Sequence, residues 1–279
     1  MNPSKARAAA LLALLSFTAA CAGWSARGAS PNGGSPAPVV EAVPGPASPP
    51  PRPLNGELTV FAAASLTEAF AAIAQAFSHA HPEVDVLLNL AGSQRLASQV
   101  LQGAPADVLA TADRAQLAAV VEAGLIRGQP QAFATNSLQI AVEPGNPLGI
   151  VGLADLTRGD IVVVLAAPAV PAGRYAAEAL ATAGVTATPA SLETDVRGVV
   201  AKVRLGEADA GIVYRSDVQA ADGDVEGVAL PAASDVVAVY PIAPLGDAPN
   251  PAAAEAFVDF VTSPEAQRIL RDHGFGPAP

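Results

Sequence analysis

Two serines stand where a predicted strand gives way to a predicted helix. Ser65 follows the apolar segment 58–63, and Ser93 follows the segment 84–90 and a short turn. The first turn of a helix presents unpaired backbone N–H groups and a partial positive charge, so it binds anions without a basic side chain. A serine hydroxyl there adds one more donor. For either serine alone, helix capping is the simpler interpretation, and the spacing from Ser65 to Glu68 matches a capping box.

The two serine turns belong to neighbouring strand–turn–helix units, so they would open at the same edge of one parallel sheet. That edge is where open α/β sheets bind ligands. Further along, Pro171 opens a predicted helix, and Asp195 or Thr194 opens another. Tyr214 ends a short strand and can donate a phenolic O–H, although taken alone it is better explained as a packed tyrosine. The pattern favours a site that holds an anion with neutral donors.

Short apolar strands alternate with alanine-rich amphipathic helices from residue 56 onward, which is typical of an α/β fold. Two such blocks and a late return of the chain predict two lobes. The predicted strands are 58–63, 84–90, 107–111, 137–142, 161–165, 211–214, 228–230 and 236–243, and the predicted helices are 65–79, 94–102, 115–122, 172–183, 196–205, 252–262 and 264–271.

The first 20 residues are typical of a secretory signal, because Lys5 and Arg7 precede an apolar run that is too short to span a bilayer. The run ends at Cys21, the chain's single cysteine, in a segment that resembles a bacterial lipobox, with Thr18 where leucine is usual. We expect a lipoprotein signal peptide over 1–20 and lipidation of Cys21. The alternative is an ordinary signal peptide cleaved just before an incidental cysteine.

The segment that follows, 22–55, is dense in proline, glycine, serine and alanine. Such a composition cannot bury enough apolar surface to offset the entropy of ordering. We therefore interpret residues 21–55 as a lipid anchor and a disordered tether that holds a folded domain off a membrane surface.

The charge balance excludes some functions and leaves others open. The chain carries 15 basic and 26 acidic residues, a formal net charge of −11, which argues against binding nucleic acid. It does not exclude a small anion, since the partial positive charge of a helix start acts locally. With one cysteine and three histidines, the sequence offers no His/Cys cluster for a protein-ligated metal, and no cofactor is expected.

The sequence lacks the features that a serine hydrolase would need. Ser65 lies in Ala-Ala-Ser-Leu, which lacks the G-x-S-x-G nucleophile elbow. None of the histidines, at 79, 81 and 273, is placed to serve Ser65 as a base. We therefore expect that the protein is not an enzyme.

An ordered set of motifs resembles the bacterial molybdate-binding proteins, the solute receptors of molybdate ABC transporters. The resemblance covers residues 57–276. Its motifs are Phe-Ala-Ala-Ala-Ser-Leu-Thr at 61–67, Gly-Ala-Pro-Ala-Asp-Val at 103–108, Val-Pro-Ala-Gly-Arg-Tyr-Ala at 170–176, Asp-Val-Arg-Gly at 195–198, Gly-Ile-Val-Tyr-Arg-Ser-Asp at 211–217, Tyr-Pro at 240–241 and Ser-Pro-Glu-Ala-Gln at 263–267.

The resemblance implies a two-lobed periplasmic-binding-protein fold of type II. Each lobe would be a mixed sheet flanked by helices, with the ligand in the cleft between the lobes. The first lobe would comprise residues 56–135 plus 244–279 and the second residues 136–243. The chain crossings near Asn136 and Pro244 would form the hinge.

The resemblance also implies the ligand, molybdate or tungstate, and neutral donors that hold it. The hydroxyls and amides of Ser65 and Ser93 would serve from the first lobe. The amides of Ala172 and Val196 and the hydroxyl of Tyr214 would serve from the second. Molybdenum would enter only as the centre of the bound oxyanion.

Several expectations complete the sequence-based picture. The family often has small hydroxyl residues around the second serine, where this chain has Gln94 and Arg95. We expect Arg95 to be a solvated helix residue, although it could come near the anion. The partner would be the membrane permease of a molybdate ABC transporter. The receptor would be a monomer, lipid-anchored at the extracytoplasmic face of the cell membrane. A receptor for another tetrahedral oxyanion, such as sulfate, is the alternative.

Overall fold

The computed structural model describes residues 53–279. The predicted signal peptide (1–20), the predicted lipidation site Cys21 and most of the predicted tether (21–55) lie outside the described residues. Within the described part, no helix combines the length and the apolar character needed to cross a membrane.

The strands of residues 53–279 form two five-stranded mixed sheets. In chain order they are β1 (Gly56–Ala63), β2 (Val84–Ala91), β3 (Val108–Ala110), β4 (Gln131–Asn136), β5 (Leu138–Val142), β6 (Val163–Ala166), β7 (Ser191–Glu193), β8 (Ala210–Tyr214), β9 (Glu226–Ala229) and β10 (Ala238–Pro244). The first sheet has the order β2-β1-β3-β10-β4, and the second has the order β7-β6-β8-β5-β9. The β1 strand runs parallel to β2 and β3, and β6 runs parallel to β7 and β8. Each sheet therefore contains three parallel strands, and a helix follows the carboxyl end of each of them.

Helices flank both sheets. They are α1 (Thr67–Ala80), α2 (Ser93–Leu101), α3 (Arg114–Glu122), α4 (Pro171–Thr182), α5 (Val196–Arg204), α6 (Arg215–Ala220), α7 (Pro251–Val261) and α8 (Pro264–Asp272), with 3-10 helices at Ala64–Leu66 and Leu153–Thr157. The predicted α/β class is confirmed. The sequence did not reveal β4, β7 or α6, which are six, three and six residues long and offer few positions on which a periodic pattern could show.

The first helix shows how the sequence builds the core. Phe70, Ile73 and Phe77 recur at intervals of three and four residues, which puts them on one face of α1. All three are fully buried. Phe70 and Phe77 pack against Phe257 of α7, with ring centroids 6.1 and 5.2 Å apart. One face of this helix therefore packs into the core.

The chain passes between the two sheets twice. The first crossing joins the end of β4 at Asn136 to the start of β5 at Leu138. The second joins β9 to β10, because β10 pairs with β3 and β4 of the first sheet. The return therefore comes before Ala238, and the expected crossing near Pro244, with a second lobe over 136–243, is too late. An apolar run predicts a strand but does not say which sheet the strand joins.

Candidate functional site

A small cavity lies where helix starts from both sheets meet. Its lining brings together all five residues that the sequence singled out for the ligand. These are Ser65 and Ser93 from the first sheet's helices, Ala172 and Val196 from the second sheet's helices, and Tyr214 at the end of β8.

Ser65 lies at the cavity but does not cap α1 as predicted. The chain first makes the 3-10 helix Ala64–Leu66, so Leu66 becomes the N-cap of α1 and no side chain caps that helix. The predicted capping box from Ser65 to Glu68 is therefore wrong. The Ser65 hydroxyl instead lies 2.9 Å from the hydroxyl of Tyr240 on β10. A tight turn before α1 frees the serine side chain from its own helix.

Ser93 is the first residue of α2, and Gly92 is the N-cap. The predicted capping role of Ser93 is also wrong, because its Oγ accepts a hydrogen bond from the backbone N–H of Ala112 at 3.0 Å. The side chain is 1% exposed. Since this bond uses a lone pair of Oγ, the hydroxyl proton remains free to be donated into the cavity.

The second sheet presents two helix starts to the same cavity. The predicted start of α4 at Pro171 is confirmed, and the close approach of this helix to the end of β6 requires glycine at 173, where a Cβ would overlap the carbonyl oxygens of Ala166 and Ala167. Asp195 caps α5 by accepting from the N–H of Gly198 at 3.0 Å. The amides of Ala172 and Val196 belong to first turns, where N–H groups have no intrahelical acceptor.

The hydroxyl of Tyr214 indicates what kind of ligand the cavity binds. Its side chain is 1% exposed, and its hydroxyl oxygen has no hydrogen-bond partner among residues 53–279. Burial raises the pKa of this phenol well above its ordinary value, so the group stays protonated and acts as a donor. A buried hydroxyl without a partner costs about 1–3 kcal/mol. The cavity therefore contains a buried hydrogen-bond donor that a ligand with acceptor oxygens would satisfy.

Asp217 holds the backbone of Tyr214 in place. Its Oδ2 accepts the N–H of Tyr214 at 3.0 Å, whereas Oδ1 is buried without a partner in the described part of the chain. Burial raises the pKa of Asp217 to about 7, against the opposing effects of the Tyr214 N–H and of Arg197.

The lining of the cavity contains no basic side chain within the described residues, and its one charged residue, Asp195, is engaged as a helix cap. Arg95 is exposed and does not line the cavity. No group of three or more His, Cys, Asp or Glu residues that could hold a metal ion occurs within 53–279. The donors of the site are hydroxyls and helix-start amides. Such donors suit an anion that is neutralised by dipoles, not by a countercharge.

Cross-sheet contacts close the two halves of the molecule around the cavity. Nη1 of Arg197 on α5 donates to both carboxylate oxygens of Glu68 on α1, at 2.7 and 2.8 Å. Nη2 of Arg174 on α4 donates to Oδ2 of Asp113, the N-cap of α3, at 2.9 Å. These ion pairs were missed by sequence reasoning. A signal existed, because arginine in the first turn of a helix opposes the helix dipole and so suggests another role.

Residues 58–276 match the family described as bacterial extracellular solute-binding protein. The chain belongs to this family. A relative named molybdate-binding protein ModA, from Mycobacterium tuberculosis (strain H37Rv), is 44% identical over 232 residues, which cover 82% of this chain and 89% of that protein. The protein of the same name from Escherichia coli K12 is 35% identical and covers 79% and 89%. The resemblance to molybdate-binding proteins is thereby confirmed.

Further similarities concern a lipoprotein and two solved structures. A Bacillus subtilis relative, the ABC transporter substrate-binding lipoprotein YvgL, is 25% identical over a stretch that covers 78% of this chain and 85% of that protein. The periplasmic molybdate-binding protein of Azotobacter vinelandii superposes with a TM-score of 0.69 at 20% identity, covering 80% of this chain and all of that one. The sulfate-binding protein SubI of M. tuberculosis gives 0.73 at 21% identity, covering 79% and 86%. At these identities the structures show the fold alone, and the predicted type II periplasmic-binding-protein fold is confirmed.

Proposed function

We propose that this protein captures molybdate, and also tungstate, outside the cytoplasmic membrane. The observation that carries the proposal is the Tyr214 hydroxyl, a buried donor with no partner among residues 53–279, in a cavity lined by helix starts from both sheets. A tetrahedral oxyanion offers the acceptors that this hydroxyl and the adjacent first-turn amides need. The names of the relatives at 44% and 35% identity support molybdate as that oxyanion.

The donors act by replacing the hydration shell of the dianion. In a cavity that excludes bulk water, each charge-assisted hydrogen bond contributes about 1.5–3 kcal/mol net. Ser65 and Ser93 donate from the first half of the site. Ala172, Val196 and Tyr214 donate from the second. Because the donors are fixed on helix starts, their spacing selects the oxyanion by size, and the smaller sulfate ion would be under-coordinated.

Sulfate is the weaker candidate. The support for it is the likeness to SubI, which at 21% identity reflects the shared fold. The relatives with the higher identities over most of the chain carry the name molybdate-binding.

The two sheets and their helices serve as two lobes that close on the ligand. In this proposal residues 53–136 and 238–279 form the first lobe, and residues 137–237 form the second. The two crossings, at 136–138 and 229–238, act as the hinge. The ion pair between Arg197 and Glu68 supports this assignment, because it joins helices that flank different sheets.

We further propose that the receptor is a monomer without enzymatic activity or a cofactor. It delivers its ligand to the permease of an ABC transporter and is held at the membrane by a lipid on Cys21. Membership of a solute-binding family supports the transport role. The name of the B. subtilis relative supports the lipid anchor.

Titration calorimetry of the Ser65→Ala/Ser93→Ala double variant tests the site. Each substitution removes a hydroxyl that donates to charge, so we expect the dissociation constant for molybdate to rise at least about tenfold. Ser98→Ala is the matched control, because Ser98 is an exposed residue of the same helix as Ser93. Unchanged affinity of a folded double variant would refute the site.

A further inference from the structure

A buried chain of hydrogen bonds leads away from the cavity on the side of the hinge. The Ser65 hydroxyl lies 2.9 Å from the Tyr240 hydroxyl. The side-chain amide of Asn136 donates to the same Tyr240 oxygen at 3.4 Å and to the Ser216 hydroxyl at 2.8 Å. Tyr240 is fully buried and Asn136 is 2% exposed, so bulk water does not compete for these groups.

Counting donors and acceptors fixes the direction of the bond between Tyr240 and Ser65. A phenol has one proton to donate and lone pairs to accept with. Burial raises the pKa of Tyr240 far above its ordinary value, so the proton is present. The amide nitrogen of Asn136 is a donor only, and it occupies a lone pair of Tyr240. Oδ1 of Asn136 is also an acceptor, but it is buried without a hydrogen-bond partner among residues 53–279, so it does not take the Tyr240 proton. The acceptor within hydrogen-bond distance of Tyr240 in the described residues is Oγ of Ser65.

The direction of this bond determines what Ser65 can do. When Oγ accepts from Tyr240, the serine proton cannot point back along the same line and must turn elsewhere. Ser65 also lines the cavity, which is where an anion would accept that proton. The opposite direction would consume the serine proton and leave Ser65 with lone pairs facing an anion, which is repulsive.

We propose that Tyr240, held by Asn136, is a positioning residue that orients the Ser65 hydroxyl as a donor to the oxyanion. The proposal rests on the proposed function, since it explains how one donor of that site is set before the ligand arrives. It assigns a role to a tyrosine that does not line the cavity. Asn136 ends β4 at the first crossing and Tyr240 lies in β10 just after the second, so the orientation depends on both hinge strands.

A double-mutant cycle tests the proposal by calorimetric titration with molybdate, tungstate and sulfate. We expect Tyr240→Phe to weaken binding of the preferred oxyanion about threefold to tenfold in the wild-type background. In the Ser65→Ala background, where no serine proton remains to be oriented, the same change should alter affinity less than twofold. Tyr214→Phe is the matched control, because it should weaken binding to a similar extent in both backgrounds.

The outcomes separate the inference from the function on which it rests. An equal loss for Tyr240→Phe with and without Ser65, or no loss at all, overturns the positioning role while molybdate binding stands. Preference of the wild-type protein for sulfate overturns the proposed function, and the cycle then tests the inference with sulfate. Binding of no oxyanion overturns both.

A second variant covers the case in which Tyr240→Phe does not fold. Asn136→Asp replaces the amide donor beside Tyr240 with an acceptor, which should draw the phenol proton away from Ser65. Its added charge acts in both backgrounds, so orientation appears as the extra loss of affinity when Ser65 is present. We expect such an extra loss of at least about twofold. An equal loss in the two backgrounds would contradict the proposal.

Discussion

Removing one oxygen from Tyr214 should weaken ligand binding and stabilise the ligand-free protein. Here the hydroxyl is buried and has no partner in the described part of the chain. Tyr214→Phe keeps the ring, including its edge contact with Tyr240 at a centroid distance of 5.9 Å, and deletes only the group that lacks an acceptor.

The magnitudes follow from the two states of that hydroxyl. Without a ligand, an unsatisfied buried hydroxyl costs the closed form about 1–3 kcal/mol. Its removal should raise the free energy of unfolding by up to that amount, and by less in proportion to the fraction of ligand-free protein whose lobes open and let water reach the hydroxyl. For a folded unit of this size, 1 kcal/mol corresponds to about 2–4 °C in Tm. With molybdate bound, the loss of a charge-assisted hydrogen bond worth about 1.5–3 kcal/mol should raise the dissociation constant about 10- to 150-fold.

Two measurements on one variant check both signs. Thermal unfolding without oxyanion should give a higher Tm for Tyr214→Phe, and calorimetric titration with molybdate should give a weaker affinity. Tyr240→Phe is the informative contrast, because its hydroxyl has partners in Ser65 and Asn136 and its removal should lower the Tm. A lower Tm together with unchanged molybdate affinity for Tyr214→Phe would show that Tyr214 is a structural tyrosine and refute the reasoning.

Three further outcomes are expected. Arg197→Gln removes a half-exposed ion pair between the lobes that is worth about 0.2–1 kcal/mol, so the molybdate affinity measured by calorimetry should fall up to about fivefold. The surface control Arg268→Gln should leave the affinity unchanged. Equal effects of the two substitutions would contradict a closing role for Arg197. Because burial raises the pKa of Asp217 to about 7, the folded protein binds more protons than the unfolded chain above about pH 4. The free energy of unfolding should therefore fall by up to about 4 kcal/mol as pH rises from about 4 to 7, and Asp217→Asn should flatten this slope in urea unfolding; a slope that survives the substitution assigns it to other groups. Cys21→Ser should move the protein from the membrane fraction to the soluble fraction of fractionated cells, and retention at the membrane would disprove the lipid anchor.

The assembly of the site could be predicted from the sequence because it depends on local patterns. Ser65 and Ser93 each follow one of two parallel strands in the same sheet, and the carboxyl ends of such strands meet at one edge. Pro171 marks the start of its helix through its fixed backbone angle. These signals need only a few residues of context, and the structure brings all of these positions to one cavity.

What the sequence could not supply depends on tertiary placement. Both serines looked like helix caps, but their hydroxyls bond to Tyr240 and to the backbone of Ala112, which lie on other strands or turns. The ion pair from Arg197 to Glu68 spans 129 positions in the chain and joins helices that flank different sheets. The sheet that β10 joins is likewise set by pairing partners, which an apolar run does not reveal.

A crystal structure of the protein with molybdate tests the central claim most directly, since the anomalous scattering of molybdenum locates the ion. We predict one molybdenum peak in the cavity between the lobes, with molybdate oxygens within about 2.5–3.0 Å of the Tyr214 hydroxyl and of at least one serine hydroxyl of the site. No basic side chain should contact the ion. A molybdenum peak elsewhere, an ion held by an arginine such as Arg95, or no bound molybdenum at all would contradict the account.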